Sequence, residues 1–394
     1  MNPIYLDNNA TTRVAPEVIE AMLPYFGERY GNPSSMHAFG GDVAADLRRA
    51  RNRLAELLGA KPDEIVFTSC GTESDSTAIW SALRTQPERR HFITSRVEHP
   101  AVKNLAEWLA QNGYRVTFVP VDADGRLDVD YFKKHLTEET AIASIMWGNN
   151  ETGVMFPVEE LAALCHERGV MFHTDAVQAV GKVPIDLSHS RIDMLSLSGH
   201  KLHGPKGIGA LYVRERTTFA PFLRGGHQEQ GRRAGTENTA AIVGLGRAAQ
   251  FVAEHMAEEN TRVRALRDRL ENGLLKRVPD TYVNGAGQDR LPNTTSIGFD
   301  AVEGEAILLM MDRYGICASS GSACTSGSLE PSHVLRAMNV PFTRAHGSIR
   351  FSLSVFNTDA DVDLVLEKLP PIIERLRQMS PFWKGPSQVA CPTT

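Results

Sequence analysis

"DMLSLSGHKLHGPKGIGALYV" occupies residues 193–213 and contains two apolar, β-rich runs separated only by "GHKLHGPK". A parallel crossover needs about a dozen residues or more, so the second run is predicted to return antiparallel to the first. Five similar runs precede this pair: "EIVFTSC" (64–70), "HFITSRVEH" (91–99), "YRVTFVPVD" (114–122), "AIASIMWGNN" (141–150) and "VMFHTD" (170–175). Their apolarity is continuous rather than alternating, which is the pattern of strands covered on both faces. Helix-like segments such as "VEELAALCHERG" (158–169) separate most of them, giving a β-α-β rhythm. The prediction is an α/β fold built on a mixed, mostly parallel, seven-stranded sheet.

Val43, Leu47, Ala50, Leu54, Leu57 and Leu58 follow the spacing of an amphipathic helix that would cover this sheet. A long helical pattern from Ile242 to Val278 leads out of it. Beyond, "NTTSIGF" and "GSIRFSLS" read as strands, and residues 359–379 as a terminal helix interrupted at Pro370-Pro371. The expected division is a large domain over residues 14–259 and a smaller α+β domain from residues 1–13 and 260–380. Residues 381–394 form a frayed tail in this reading.

With 394 residues, 42% of them hydrophobic and 23% charged, the chain can bury a large core. A net charge of −5 gives no general electrostatic reason to bind nucleic acid or an anionic membrane, which points to small polar substrates. The five cysteines, Cys70, Cys165, Cys317, Cys324 and Cys391, are scattered and lack a C-x-x-C spacing. They indicate neither a disulfide framework nor a zinc ribbon, and no metal site is predicted. Without a signal-like N-terminus or a long apolar run, the expected location is cytoplasmic and reducing.

Open α/β sheets bind ligands beyond the carboxyl ends of their strands, so the polar ends of these runs belong together. Gly71 and Thr72 stand where a strand turns into a helix, a place suited to a phosphate, although taken alone a plain helix cap is the more usual reading. Asp175 ends a strand, with Gln178 three residues on, and could cap a helix, bind a metal or pair with a protonated ring nitrogen. Lys201 sits in a Gly- and Pro-rich turn beside Ser198, His200 and His203. Most lysines are solvated surface charges, but one at a strand rim among other dipoles and cations loses its proton readily enough to form a Schiff base. Together these are the parts needed to hold pyridoxal 5′-phosphate (PLP). Cys324 lies apart from them in "ASSGSACTSGS" (318–328), a stretch too poor in apolar side chains to pack a core.

The motifs "YLDNNATT", "GNPSS", "TSCGTESD", "EHPAV", "NNETG", "HTDAVQ", "SGHKLHGPKG", "GRRAGTEN" and "SSGSACTSG", spread over about residues 4–380, together resemble the group I cysteine desulfurases, PLP enzymes of fold type I. The resemblance implies that Lys201 carries the cofactor and moves protons on the substrate. It implies that Asp175 keeps the pyridine nitrogen protonated, that Gln178 bonds the phenolic oxygen, and that His99 stacks on the ring as an acid or base. Gly71, Thr72, Ser198 and His200 would hold the phosphate, and Thr236 would reach the cofactor of a second subunit in a homodimer.

Asn150 and Arg350 would bind the carboxylate of L-cysteine. Cys324 would take the substrate sulfur as a persulfide and release L-alanine. An aminotransferase would share the fold but leave Cys324 without a task. Details such as "GTESDSTAI" and "MSPFWKGP" resemble the nitrogen-fixation NifS type, which implies delivery of sulfur to a NifU-like iron–sulfur scaffold. Gln230 departs from the family pattern, where an arginine is expected. Cys70 and Cys165 read as small apolar packing residues, and Cys317 as part of a strand.

Overall fold

Strand β1 (Ile4–Tyr5) precedes the large sheet, whose seven strands are β2 (Ile65–Thr68), β3 (His91–Ser95), β4 (Arg115–Val119), β5 (Thr140–Ser144), β6 (Met171–Asp175), β7 (Met194–Ser198) and β8 (Gly209–Val213). The computed structural model describes residues 3–320 and 331–385. The spatial order is β2-β8-β7-β6-β5-β3-β4, and only β8 runs against the rest, as the short 199–208 connection requires.

Successive residues of each strand feed opposite faces of the sheet. Leu195 and Tyr212 pack on one face with Phe172, whereas Met194 and Leu211 pack on the other with Phe92 and Ile142. Helices Gly71–Thr85 and Pro100–Gln111 cover the second face. The predicted amphipathic helix is Ala38–Leu58, with Val43, Leu47, Ala50, Leu54 and Leu58 buried on the first face. It packs on helix Thr239–Glu258 at close range: a Cβ on Gly246 would lie 2.5 Å from the Ala50 Cα. This approach requires glycine.

The helical path continues from Thr239–Glu258 through a π turn, Glu259–Val263, into Arg264–Arg277. There it joins a second core with strands β9 (Thr281–Val283), β10 (Thr294–Phe299), β11 (Ile316–Cys317), β12 (Ser319–Ser320) and β13 (Ser348–Ser352). β12-β13-β10-β9 form an antiparallel sheet, and β11 pairs in parallel with β1, so the chain's N-terminal end packs here through Leu6.

The terminal helix, Asp359–Met379, runs through Pro370 and Pro371 without the expected interruption. Pro370 cannot donate to the carbonyl four residues earlier, Leu366 O. Arg277 Nη1 donates to that oxygen instead, at 2.6 Å. Among the described residues no helix is long and apolar enough to cross a membrane, and no cluster of His, Cys, Asp or Glu suits a metal.

Candidate active site

The carboxyl ends of β2, β3, β5, β6 and β7 open on one cavity of about 290 Å³. Gly71, Thr72, His99, Asn150, Asp175, Gln178, Ser198, His200, Lys201 and Arg350 all line it. Thr236 does not; it is exposed on the loop after Gln228–Gly231. Cys324 lies outside the described residues.

Helix Gly71–Thr85 starts at the pocket with Cys70 as its N-cap and no side chain capping it. The plain-cap reading therefore fails, and the first-turn N–H groups, with the positive end of the helix dipole, face the cavity. An added Cβ on Gly71 would lie 2.9 Å from Val177 Cγ2, so glycine lets this helix end approach the turn after β6. Cys70 is half-buried and lines the cavity, correcting its expected role as a packing residue. Cys165 is buried on helix Val158–Glu167, as expected.

His99 caps helix Pro100–Gln111, and its Nδ1 accepts from the Ala101 N–H at 3.2 Å. That contact places the proton of the neutral ring on Nε2. Burial lowers the His99 pKa and Lys201 adds to this, outweighing the attraction of Asp175. His200 is also held neutral, at about 4, chiefly by burial and then by Lys201, and its Nδ1 lies 3.1 Å from Thr11 Oγ1.

Asp175, at the end of β6, accepts from the Val177 N–H at 2.9 Å. Its pKa is raised by burial, against the pull of His99 and Lys201, so a cation placed beside it would regain electrostatic energy. Asp75 is buried behind the same rim, its Oδ1 has no hydrogen-bond partner, and burial together with Asp175 raises its pKa well above normal. Sequence reasoning missed Asp75, although it stands three residues after Thr72 on the same helix face.

The Lys201 ammonium ends the turn Gly199–Lys201 and donates to the Asn9 and Ala10 carbonyls, the latter at 2.7 Å. Asn9 is held by Ser352 Oγ, Thr294 Oγ1 and Asn293, so the second core supports the lysine's resting place. This role of the N-terminal segment was also unforeseen. Arg350, on β13, is buried and bridges Asp7 Oδ1 at 2.7 Å and Asn150 O at 2.9 Å, while its Nε has no partner. Arg350→Lys cannot span both acceptors and is expected to raise the KM for an amino-acid substrate about tenfold or more with a smaller effect on kcat, measured by steady-state kinetics.

Glu229 was not singled out from the sequence, yet it anchors the loop carrying Thr236. Its carboxylate accepts from Arg51 at 2.9 and 2.6 Å and from the Phe67 N–H at 2.8 Å. Gln230, the departure from the family pattern, donates to Asp63 at 3.2 Å on the surface.

An uncapped helix start, a buried carboxylate, a lysine and a buried guanidinium N–H without a partner are a donor set that fits PLP and an amino-acid carboxylate. The class-V aminotransferase family model matches residues 4–365. The chain belongs to the class-V aminotransferase family.

Within this PLP-dependent family, the chain is 64% identical over 387 residues to a cysteine desulfurase of Gluconacetobacter diazotrophicus, covering 98% of this chain and 97% of that protein. It is 59% identical over 393 residues to the cysteine desulfurase NifS of Azotobacter vinelandii, covering 100% and 98%. A solved NifS-like protein superposes with a TM-score of 0.89 at 37% identity, covering 95% of this chain and all of the other. The structure of SspA in complex with cysteine gives a TM-score of 0.80 at 34% identity, covering 90% and 99%. As a member of this family the chain is a PLP enzyme.

Proposed function

We propose that this enzyme converts L-cysteine to L-alanine and transfers the sulfur to Cys324 as a persulfide, supplying sulfur for iron–sulfur cluster assembly. The observation that carries this reading is the convergence of Lys201, Asp175, the uncapped helix start and Arg350 on one cavity. The names of the relatives, and a related structure holding cysteine, support the choice of substrate.

Bound PLP supplies an electron sink for bond breaking at the substrate's carbon atoms. Gly71, Thr72, Ser198 and His200 would hold its phosphate, Asp175 would pair with its ring nitrogen, and His99 would stack on its ring. Arg350 and Asn150 fix the substrate carboxylate. Lys201 Nζ, once neutral, takes and returns protons at the substrate carbons, and His99 Nε2 handles a proton near the sulfur.

The Cys324 thiolate attacks the substrate sulfur, forming an S–S bond as the C–S bond breaks. The electron pair stays with carbon, which takes a proton to become alanine. Overall, cysteine and the enzyme thiol give alanine and an enzyme persulfide. Thr236 is assigned to the cofactor of a second copy in a homodimer, which agrees with its exposure on this chain. The NifS name of one relative supports a nitrogen-fixation setting, and a NifU-like scaffold is the acceptor assigned in this reading.

The test is incubation of PLP-loaded protein with L-cysteine and excess dithiothreitol. Alanine and sulfide are expected in equal amounts, with no oxo-acid required. Absence of alanine overturns the reading, and alanine formed only with an added oxo-acid reassigns the chain as an aminotransferase.

A further inference from the structure

Lys182 is an unusual residue to find wholly inside the protein, and the family resemblance left it without a task. Its ammonium donates at 3.3 Å both to the Gln178 backbone carbonyl and to the Gln178 side-chain Oε1. At the other end of the same amide, Gln178 Nε2 donates to Asn9 O at 3.0 Å. An ammonium can only donate and a carbonyl can only accept, so these two partners admit a single orientation of the amide. Its oxygen points to Lys182, and its nitrogen, with one N–H on Asn9 O and the second not used there, lies on the side of the cavity that Gln178 and Asn9 both line. Asn9 O is also an acceptor of the Lys201 ammonium, which joins this arrangement to the cofactor lysine.

A buried ammonium needs a counter-charge. Glu259 is buried and lines a second cavity, of about 20 Å³, which Lys182 and Lys201 also line and which has room for about one water. Burial lowers Lys182 to about 8 and raises Glu259 to about 7, and each charge opposes the shift of the other. Asn260 Nδ2 donates to the Lys182 carbonyl at 2.8 Å, tying the π turn Glu259–Val263 to the Gln178 loop.

We infer that Lys182, balanced by Glu259, is a positioning residue that holds the Gln178 amide with its nitrogen toward the cavity, where the N–H not used on Asn9 O donates to the cofactor's ring oxygen. This rests on the assignment of the cavity to PLP. A donor at that oxygen stabilises its ionised form, so losing the fixed orientation should make the ring oxygen harder to ionise.

The experiment compares PLP-loaded wild type, Lys182→Met/Glu259→Gln, Gln178→Met and the triple variant. The Lys182/Glu259 double variant removes both charges together, so that neither is left buried alone. The readouts are PLP affinity and the pH midpoint of the bound cofactor's visible absorption. The double variant should bind PLP about tenfold more weakly, with the midpoint raised by about one unit, and Gln178→Met should do the same. The triple variant should show no further shift, because one contact has been removed twice.

A folded double variant with the wild-type midpoint, or a triple variant whose shifts add, overturns the inference. Should the double variant not fold, Gln178→Met with an unchanged midpoint overturns it equally. Failure of the wild type to bind PLP at all instead removes the assignment beneath it.

Discussion

Replacing Lys201 with alanine is expected to lower alanine formation from L-cysteine by about a thousandfold or more while leaving the protein folded. The side chain reaches over the cavity to the Asn9 and Ala10 carbonyls and is only partly buried, so its loss removes a functional group rather than a packing element. Lys201 is the only lysine among the described residues that line this cavity. His99 Nδ1 is committed to the Ala101 N–H, and His200 is occupied at Thr11. Lys201→Arg should not rescue activity, because a guanidinium neither deprotonates in this range nor forms the same linkage. Timed chromatographic measurement of alanine decides the matter: activity within tenfold of wild type would show that another group moves the protons.

Cys324→Ala should bind L-cysteine but form alanine and sulfide at least about a hundredfold more slowly, since the departing sulfur then lacks its nucleophilic acceptor. The cofactor's absorption should still respond to added cysteine, which separates binding from sulfur transfer. Cys70 supplies an internal control, because it lines the cavity whereas Cys165 is buried in a helix. If Cys324→Ala retains the wild-type rate and Cys70→Ala loses it, the acceptor is Cys70 and the chemistry must be redrawn around the helix start. Persulfide labelling of each variant would show the same assignment directly.

Much of the fold was legible along the chain because it depends on short-range patterns. Seven apolar runs became seven strands, and the brevity of "GHKLHGPK" alone required β8 to reverse. The helix Ala38–Leu58 followed from the spacing of Val43, Leu47, Ala50, Leu54 and Leu58. Pro370 and Pro371 misled for a physical reason. The helix is kept intact by Arg277, about ninety residues away, which donates to the carbonyl that proline leaves unpaired. No local rule contains that contact.

The candidate site divides in the same way. Residues at strand ends, from Gly71 and Thr72 to Asp175 and Lys201, announced themselves by position, because the carboxyl edge of a parallel sheet gathers whatever follows each strand. Thus the order and type of the elements, the rim residues and the resemblance to a PLP family were determined by the sequence itself. Only the tertiary structure decided that Asn9 supports Lys201 and Gln178, that Arg350 crosses from the second core to Asn150, that Glu229 anchors the Thr236 loop, and that Cys70 faces the cavity. Those contacts join residues separated by as many as 200 positions in the chain. They arise when elements distant in sequence pack against each other, and that packing follows from the shape and polarity of folded surfaces, which no periodicity in one segment can encode.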